Sequence, residues 1–207
     1  VAPRADAARA RPTRLVVGCG YLGARVASRW LEAGDRVLGV TRNANRAAEL
    51  AGIGIEPVVA DVAGSAAWWN ALPPLDTVFW AVGFDRASGA THRDVHVTGF
   101  GRLLDGLMAA PDTAAPAPRI VLSSSTGVWG DEAGDVVDES TPPRPAREAG
   151  RALVDAEARL RDHPLGPGVA LRFAGLYGPG RLPRLDDLRA GRPLAVEPRQ
   201  SAGPVET

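Results

Sequence analysis

From Arg14 to Gly23 the chain reads RLVVGCGYLG. The apolar run Leu15-Val16-Val17 has the length and β-branched content of a buried strand, and the glycines at 18, 20 and 23 follow it at G-x-G-x-x-G spacing. Helical spacing begins at once, through Ala24, Val26 and Trp30. In such a strand–turn–helix unit Gly18 permits a tight turn, Gly20 lets a pyrophosphate approach the backbone, and Gly23 lets helix and strand pack closely. The helix N-terminus, with Tyr21 and Leu22 in its first turn, then offers free N–H groups to phosphate. Alone the motif is also the pattern of a plain turn; its place between a strand and a helix points to a bound dinucleotide.

Outward from this unit the chain keeps the same rhythm. RVLGV, IEPVVA, DTVFWAV, RIVLSS and GVALRF each have strand length and β-branched or aromatic content, and most are separated by helical patterns. The expected fold class is α/β: a Rossmann doubly wound parallel sheet with helices on both faces and strand order 3-2-1-4-5-6. Pro57 has no N–H for a ladder, which suits the third strand to the sheet edge. Trp68 and Trp69 fall in a helix after that strand, with aromatic packing as their expected role. PDTAAPAPR (111–119) reads as a loop into the fifth strand. GDEAGDVVDESTPPRPAR (130–147) reads as a long loop after it, of the kind that usually carries function.

The 207 residues suffice for one large domain. Basic and acidic residues number 24 each, so no charge footprint for nucleic acid or an anionic membrane is present. All the basic residues are arginine. Without lysine there is no Schiff base, no anchor for pyridoxal phosphate and no G-x-x-x-x-G-K phosphate loop. One cysteine, Cys19, excludes an internal disulfide, and His92, His96 and His163 have no spacing suited to a metal. A reducing cytoplasm is the expected compartment. The lead-in VAPRADAARARPTR has no apolar core of a secretory signal, and no run reaches the length of a membrane span. Residues 1–13 are expected to be a disordered arm, with a slight likeness to an organelle transit peptide.

At the end of the second strand, an acid that would hold the ribose 2′-hydroxyl of NAD is expected about twenty residues after the glycines. Thr41 and Arg42 stand there instead. A guanidinium against a 2′-phosphate gains a charge-assisted contact of about 1.5–3 kcal/mol, so NADP is the expected preference over NAD, the alternative being a solvated surface arginine.

The ordered set GCGYLG, VVADV, VFWAVG, DVHVTGFGRLLDGL, VLSSSTGVWG and LRFAGLYGPG resembles the extended short-chain dehydrogenase/reductase family, also called the NAD-dependent epimerase/dehydratase family, from Arg14 to Gly180. The resemblance implies that Asp61 and Val62 sit near adenine and that Ala81, Val82 and Gly83 line the cofactor. It further implies that Ser125 holds the place of the catalytic serine or threonine, and that Leu176 to Gly180 close over the nicotinamide side. The family's Tyr-x-x-x-Lys pair is missing: aligning its YGRSKLAAE pattern with AGRALVDAE puts Ala149 and Leu153 at those positions. In this the chain resembles the atypical, YeeZ-like group of the family.

Without that relay, acid/base help worth on the order of 10²–10⁴ in rate needs another source. Ser125, Tyr177 and His96 are the candidates. His96 stands where the family pattern has asparagine, and its imidazole is poised for proton transfer near neutral pH. Each has a plainer alternative: Ser125 bonding only its loop, Tyr177 packing on the cofactor, His96 packing its helix. Trp129 replaces a tyrosine of the pattern, with core or cofactor-flanking packing as its expected role.

Residues 14–175 are thus expected to form the NAD(P)-binding domain, and 176–207 the incomplete start of a substrate-binding region. LPRLDDLRAG has a helical pattern and RPLAVEPRQSAGPVET has none. Two functional classes stand. One is an oxidoreductase or epimerase acting on a carbonyl, alcohol or nucleotide-linked sugar, with a small-molecule substrate and a homodimer left open. The other is a nonenzymatic NAD(P)-binding sensor or scaffold module.

Overall fold

Alternate residues of a strand turn to opposite faces of its sheet, and here both faces are apolar. In a computed structural model of the chain, residues 11–109, 116–130, 136–166, 168–182 and 185–192 are described. The elements run β1 (Thr13–Val17), α1 (Tyr21–Glu32), β2 (Arg36–Thr41), α2 (Ala44–Gly52), β3 (Glu56–Val59), β4 (Thr77–Trp80), α3 (Phe100–Met108), β5 (Arg119–Ser125), α4 (Glu148–Asp162), β6 (Val169–Phe173) and α5 (Leu185–Arg189). The six strands are parallel in the order β3-β2-β1-β4-β5-β6. This is the expected doubly wound order, and Pro57 lies on the edge strand, opposite Gly39 of β2.

Two cores follow from the alternation. Val16, Val37 and Phe79 face one side, where Ala27 of α1 and Leu50 of α2 cover them. Leu15, Val17, Val78, Trp80, Ile120 and Leu122 face the other, against Phe100, Leu103 and Leu104 of α3 and Ala156 and Leu160 of α4. Trp80 and Phe100 meet at the centre of this second layer, with ring centroids 5.1 Å apart. Sheets buried on both faces read as near-continuous apolar strands, which is why TVFW is buried at every position.

Some expectations shift in detail. β1 starts at Thr13, one residue before the boundary drawn at 14. Trp68 and Trp69 occupy a single 3-10 turn, Trp68–Ala71, rather than a full helix, because Pro73 and Pro74 follow directly and prolines cannot continue it. Both indoles still pack against the α3 side of the core. Before α3 the chain winds as a π-helical stretch, Asp94–Gly99. The helical pattern after Gly180 is realised as α5 alone. Residues 1–10 of the expected arm, 111–115 and 131–135 of the two loops, and 193–207 lie outside the described residues. No helix among the described residues is long and apolar enough to cross a membrane.

Candidate functional site

The strand order reverses between β1 and β4, and a crevice opens there outside the carboxyl ends of the strands. It forms a groove of about 710 Å³. The three glycines of the turn beneath it have three different reasons to be glycine. Gly18 has φ +91°, and a Cβ there would lie 2.7 Å from the Val82 Cα. At Gly23 a Cβ would lie 2.1 Å from the Gly18 carbonyl oxygen, so helix and turn touch without room for a methyl. At Gly20 a Cβ would meet nothing within 4 Å; the space before it is open to a ligand. The turn is pinned to β2, since the Gly18 and Cys19 N–H groups donate to the Val40 carbonyl at 3.1 and 3.3 Å. No side chain caps α1 at Gly20, which leaves its first-turn N–H groups for an anion.

Of the residues expected to hold the cofactor, Gly18, Gly20, Tyr21, Leu22, Thr41, Arg42, Asp61, Val62, Ala81, Val82 and Gly83 all line this groove. Gly23 stands behind it as the packing glycine. Arg42 does not stand free: its guanidinium pairs with the Asp85 carboxylate, which lies beyond β4. The other Asp85 oxygen accepts the Ala87 N–H at 2.9 Å. That backbone bond first, and Arg42 after it, hold the Asp85 carboxyl below the usual carboxylate range. Asn43 caps α2 by accepting the Arg46 N–H at 3.1 Å, and the Arg46 side chain lines the groove while pairing with Glu49 at 2.6 Å.

Asp85, Arg46, Ser123 and Arg181 all line the groove without having been singled out in the sequence. Arg181 belongs to the segment after β6, which is fastened over the glycine turn. Its guanidinium lies 5.4 Å from the Tyr21 ring centroid, and that of Arg25 lies 3.7 Å away. Arg25 also donates to the Pro179 carbonyl at 2.9 Å. Gly178 and Arg181 bridge one another through two backbone hydrogen bonds of 2.9 Å.

The three proton-transfer candidates fall in different surroundings. Ser125 ends β5, and its Oγ accepts the Gly127 N–H at 3.1 Å; the hydroxyl proton is left to donate elsewhere. Ser123, two residues earlier on the same face, is the serine that lines the groove. Ser124 points the other way and donates to Glu157 at 2.5 Å. Tyr177 is 77% exposed. His96 is buried and is not part of the groove lining. Burial, then the neighbouring His92, push its pKa down to about 4, so it is neutral at pH 7. Its ring stacks with His92, which stacks on Phe84. Trp129 carries the Arg172 guanidinium over its ring at 4.7 Å, and its indole N–H donates to the Thr141 carbonyl. No cluster suited to a metal occurs among the described residues.

Sheet order, glycine turn and open helix end together define a Rossmann dinucleotide-binding domain. The model of the NAD(P)H-binding family matches residues 18–166, more than half of the chain, and the chain belongs to that family. Protein YeeZ of Escherichia coli (strain K12) is 47% identical over 66 residues, which are 32% of this chain and 24% of YeeZ. Among solved structures, a short-chain dehydrogenase/reductase superfamily protein from Agrobacterium tumefaciens with bound NAD is 26% identical with a TM-score of 0.63, over 78% of this chain and 48% of that one. MoeE5 in complex with UDP-glucose and NAD is 26% identical with a TM-score of 0.65, over 86% of this chain and 59% of MoeE5. The chain thus spans about half to three-fifths of these structural relatives, and its match to YeeZ a quarter of that protein. The resemblance to atypical short-chain dehydrogenase/reductases read from the sequence is supported by these relatives.

Proposed function

We propose that this chain binds NADP(H) in preference to NAD(H) and serves an oxidoreductase or epimerase of atypical short-chain dehydrogenase/reductase type, acting on a carbonyl, an alcohol or a nucleotide-linked sugar. The observation that carries the reading is the groove itself: an uncapped helix end and an open Gly20 beside Arg42 at the end of β2. The residues fit a dinucleotide. The first turn of α1 would hold the pyrophosphate, Asp61 and Val62 would flank the adenine, and Arg42 would meet a 2′-phosphate. The nicotinamide supplies hydride transfer when bound.

Around it, Ser125 orients a substrate oxygen with the hydroxyl proton that its own acceptor role leaves free. Tyr177 is the second donor, from the segment over the groove. His96 packs behind the groove rather than acting as a donor, since its imidazole is neutral and buried. The alternative of a nonenzymatic NAD(P)-binding module is favoured by one observation: the chain has no lysine and only two tyrosines, Tyr21 and Tyr177. Energy transfer from the tryptophans to NADPH and NADH tests binding, and Gly20→Val, which fills the open space, abolishes it. Turnover on carbonyls and sugar nucleotides that disappears in Ser125→Ala supports the enzyme; tight binding without turnover supports the module.

A further inference from the structure

β2 and β4 flank β1, so their carboxyl ends stand about 9–10 Å apart, two interstrand spacings. Arg42 lies just past the end of β2 and Asp85 five residues past β4, and their side chains meet. The ion pair therefore links the segments that follow β2 and β4, the two strands that flank β1 and its glycine turn. Both residues line the groove, so the pair joins two parts of its wall that come from different strands' ends. Asp85 is the fixed post. Its carboxylate accepts the Ala87 N–H, and its carbonyl accepts the Ser88 hydroxyl at 2.7 Å and the Ser88 N–H at 3.1 Å. Arg42 is the longer partner, with more rotamer freedom to lose. Their side chains are 45% and 49% exposed, so the pair is screened and opens at small cost.

We propose that Arg42 and Asp85 form a crossbar over the adenosine end of the groove, opened by an incoming dinucleotide, and that Asp85 is a specificity-determining residue because its carboxylate competes with a 2′-phosphate for the Arg42 guanidinium. This rests on the dinucleotide reading above. A nucleotide with a 2′-phosphate opens the bar and gives Arg42 a new partner. A nucleotide without one opens the bar and leaves Arg42 unpaired. Asp85 therefore lowers affinity for both, and its negative charge opposes the phosphorylated form in addition.

The test is titration of NADPH and NADH, by tryptophan energy transfer at low salt, into wild type, Asp85→Asn, Arg42→Ala and the double variant. Asparagine retains an oxygen for the Ala87 N–H. Asp85→Ser, which also caps, repeats the measurement should the asparagine variant melt differently. Asp85→Asn is expected to tighten NADPH by up to about fivefold. Arg42→Ala weakens NADPH yet tightens NADH by about twofold, and adding Asp85→Asn to it tightens NADH no further. Unchanged or weaker NADPH binding in both Asp85 variants overturns the crossbar, as does unchanged NADH binding in Arg42→Ala. Wild type that prefers NADH, with Arg42→Ala still tightening NADH, overturns the NADP preference and upholds the crossbar. Folded wild type that binds neither nucleotide overturns both.

Discussion

Replacing Glu157 by alanine should cost more stability than removing any surface charge of this protein. Glu157 sits on the buried side of α4, 9% exposed, where its carboxylate accepts the Ser124 hydroxyl at 2.5 Å. It also accepts the N–H groups along one edge of the Arg172 guanidinium, with Nη2 at 2.7 Å and Nε at 3.1 and 3.2 Å. These contacts tie α4 to β5 and β6. The Glu157 bonds and charge raise the Arg172 pKa above its ordinary value, against a smaller opposing effect of burial. Removing the acid strands a guanidinium that is only 18% exposed and leaves the Ser124 hydroxyl without its acceptor. Breaking one side of a buried pair costs about 3–5 kcal/mol, or roughly 6–20 °C in Tm for a domain of this size. Equilibrium urea unfolding of wild type, Glu157→Ala, Arg172→Met and the double Glu157→Leu/Arg172→Met measures it. The double variant should recover most of the loss, because two apolar side chains of similar volume replace the pair without a stranded charge. A loss below about 1 kcal/mol in Glu157→Ala, the range of exposed pairs, would refute the reasoning.

The two glycines of the turn should separate folding from binding. Gly23→Ala, whose methyl would press on the Gly18 carbonyl, is expected to lose about 1–3 kcal/mol of stability by overpacking and nucleotide binding with it, measured by thermal melting and titration. Gly20→Val should melt like wild type and bind nothing. His96 should make the chain sensitive to mild acid. Burial holds the folded imidazole unprotonated down to about pH 4, against 6.5 for an ordinary histidine, so between these limits the unfolded chain binds more protons. The stabilisation is complete above about pH 6.5 and is lost as pH falls toward 4, on the order of 3 kcal/mol in all. His96→Asn should flatten the pH slope of urea stability in that window, and an unchanged slope would contradict the assignment.

The sheet was legible in the sequence because every strand is an apolar run of the right length and because one residue, Pro57, could only sit at an edge. The glycine turn was legible because its three glycines fall at fixed spacing between a strand and a helix. Reading by local pattern also explains the failures. Trp68 and Trp69 gave a helical reading because their apolar content says core but not which turn, and the proline pair after Leu72 outweighs it. Asp85 and Arg181 left no local trace. Each enters the groove only because strands or loops far apart in sequence end on the same side of the sheet, and no spacing rule reaches over forty or more residues. His96 reads in sequence either as a helix-packing histidine or as a proton donor, and its burial, which periodicity registers only as a helical position, favours the packing reading.

Cys19 lies inside the glycine turn, 4% exposed, with its thiol pushed up to about 11 chiefly by burial. Burial thus suppresses the thiolate, the form that attacks a disulfide, far below its share in an ordinary exposed cysteine. A disulfide reagent is therefore expected to react only as the turn opens away from β2, breaking the two bonds to Val40. The one sulfhydryl is a clock wound into the cofactor floor, and a nucleotide lying across that floor slows its ticking by the factor with which it holds the turn shut.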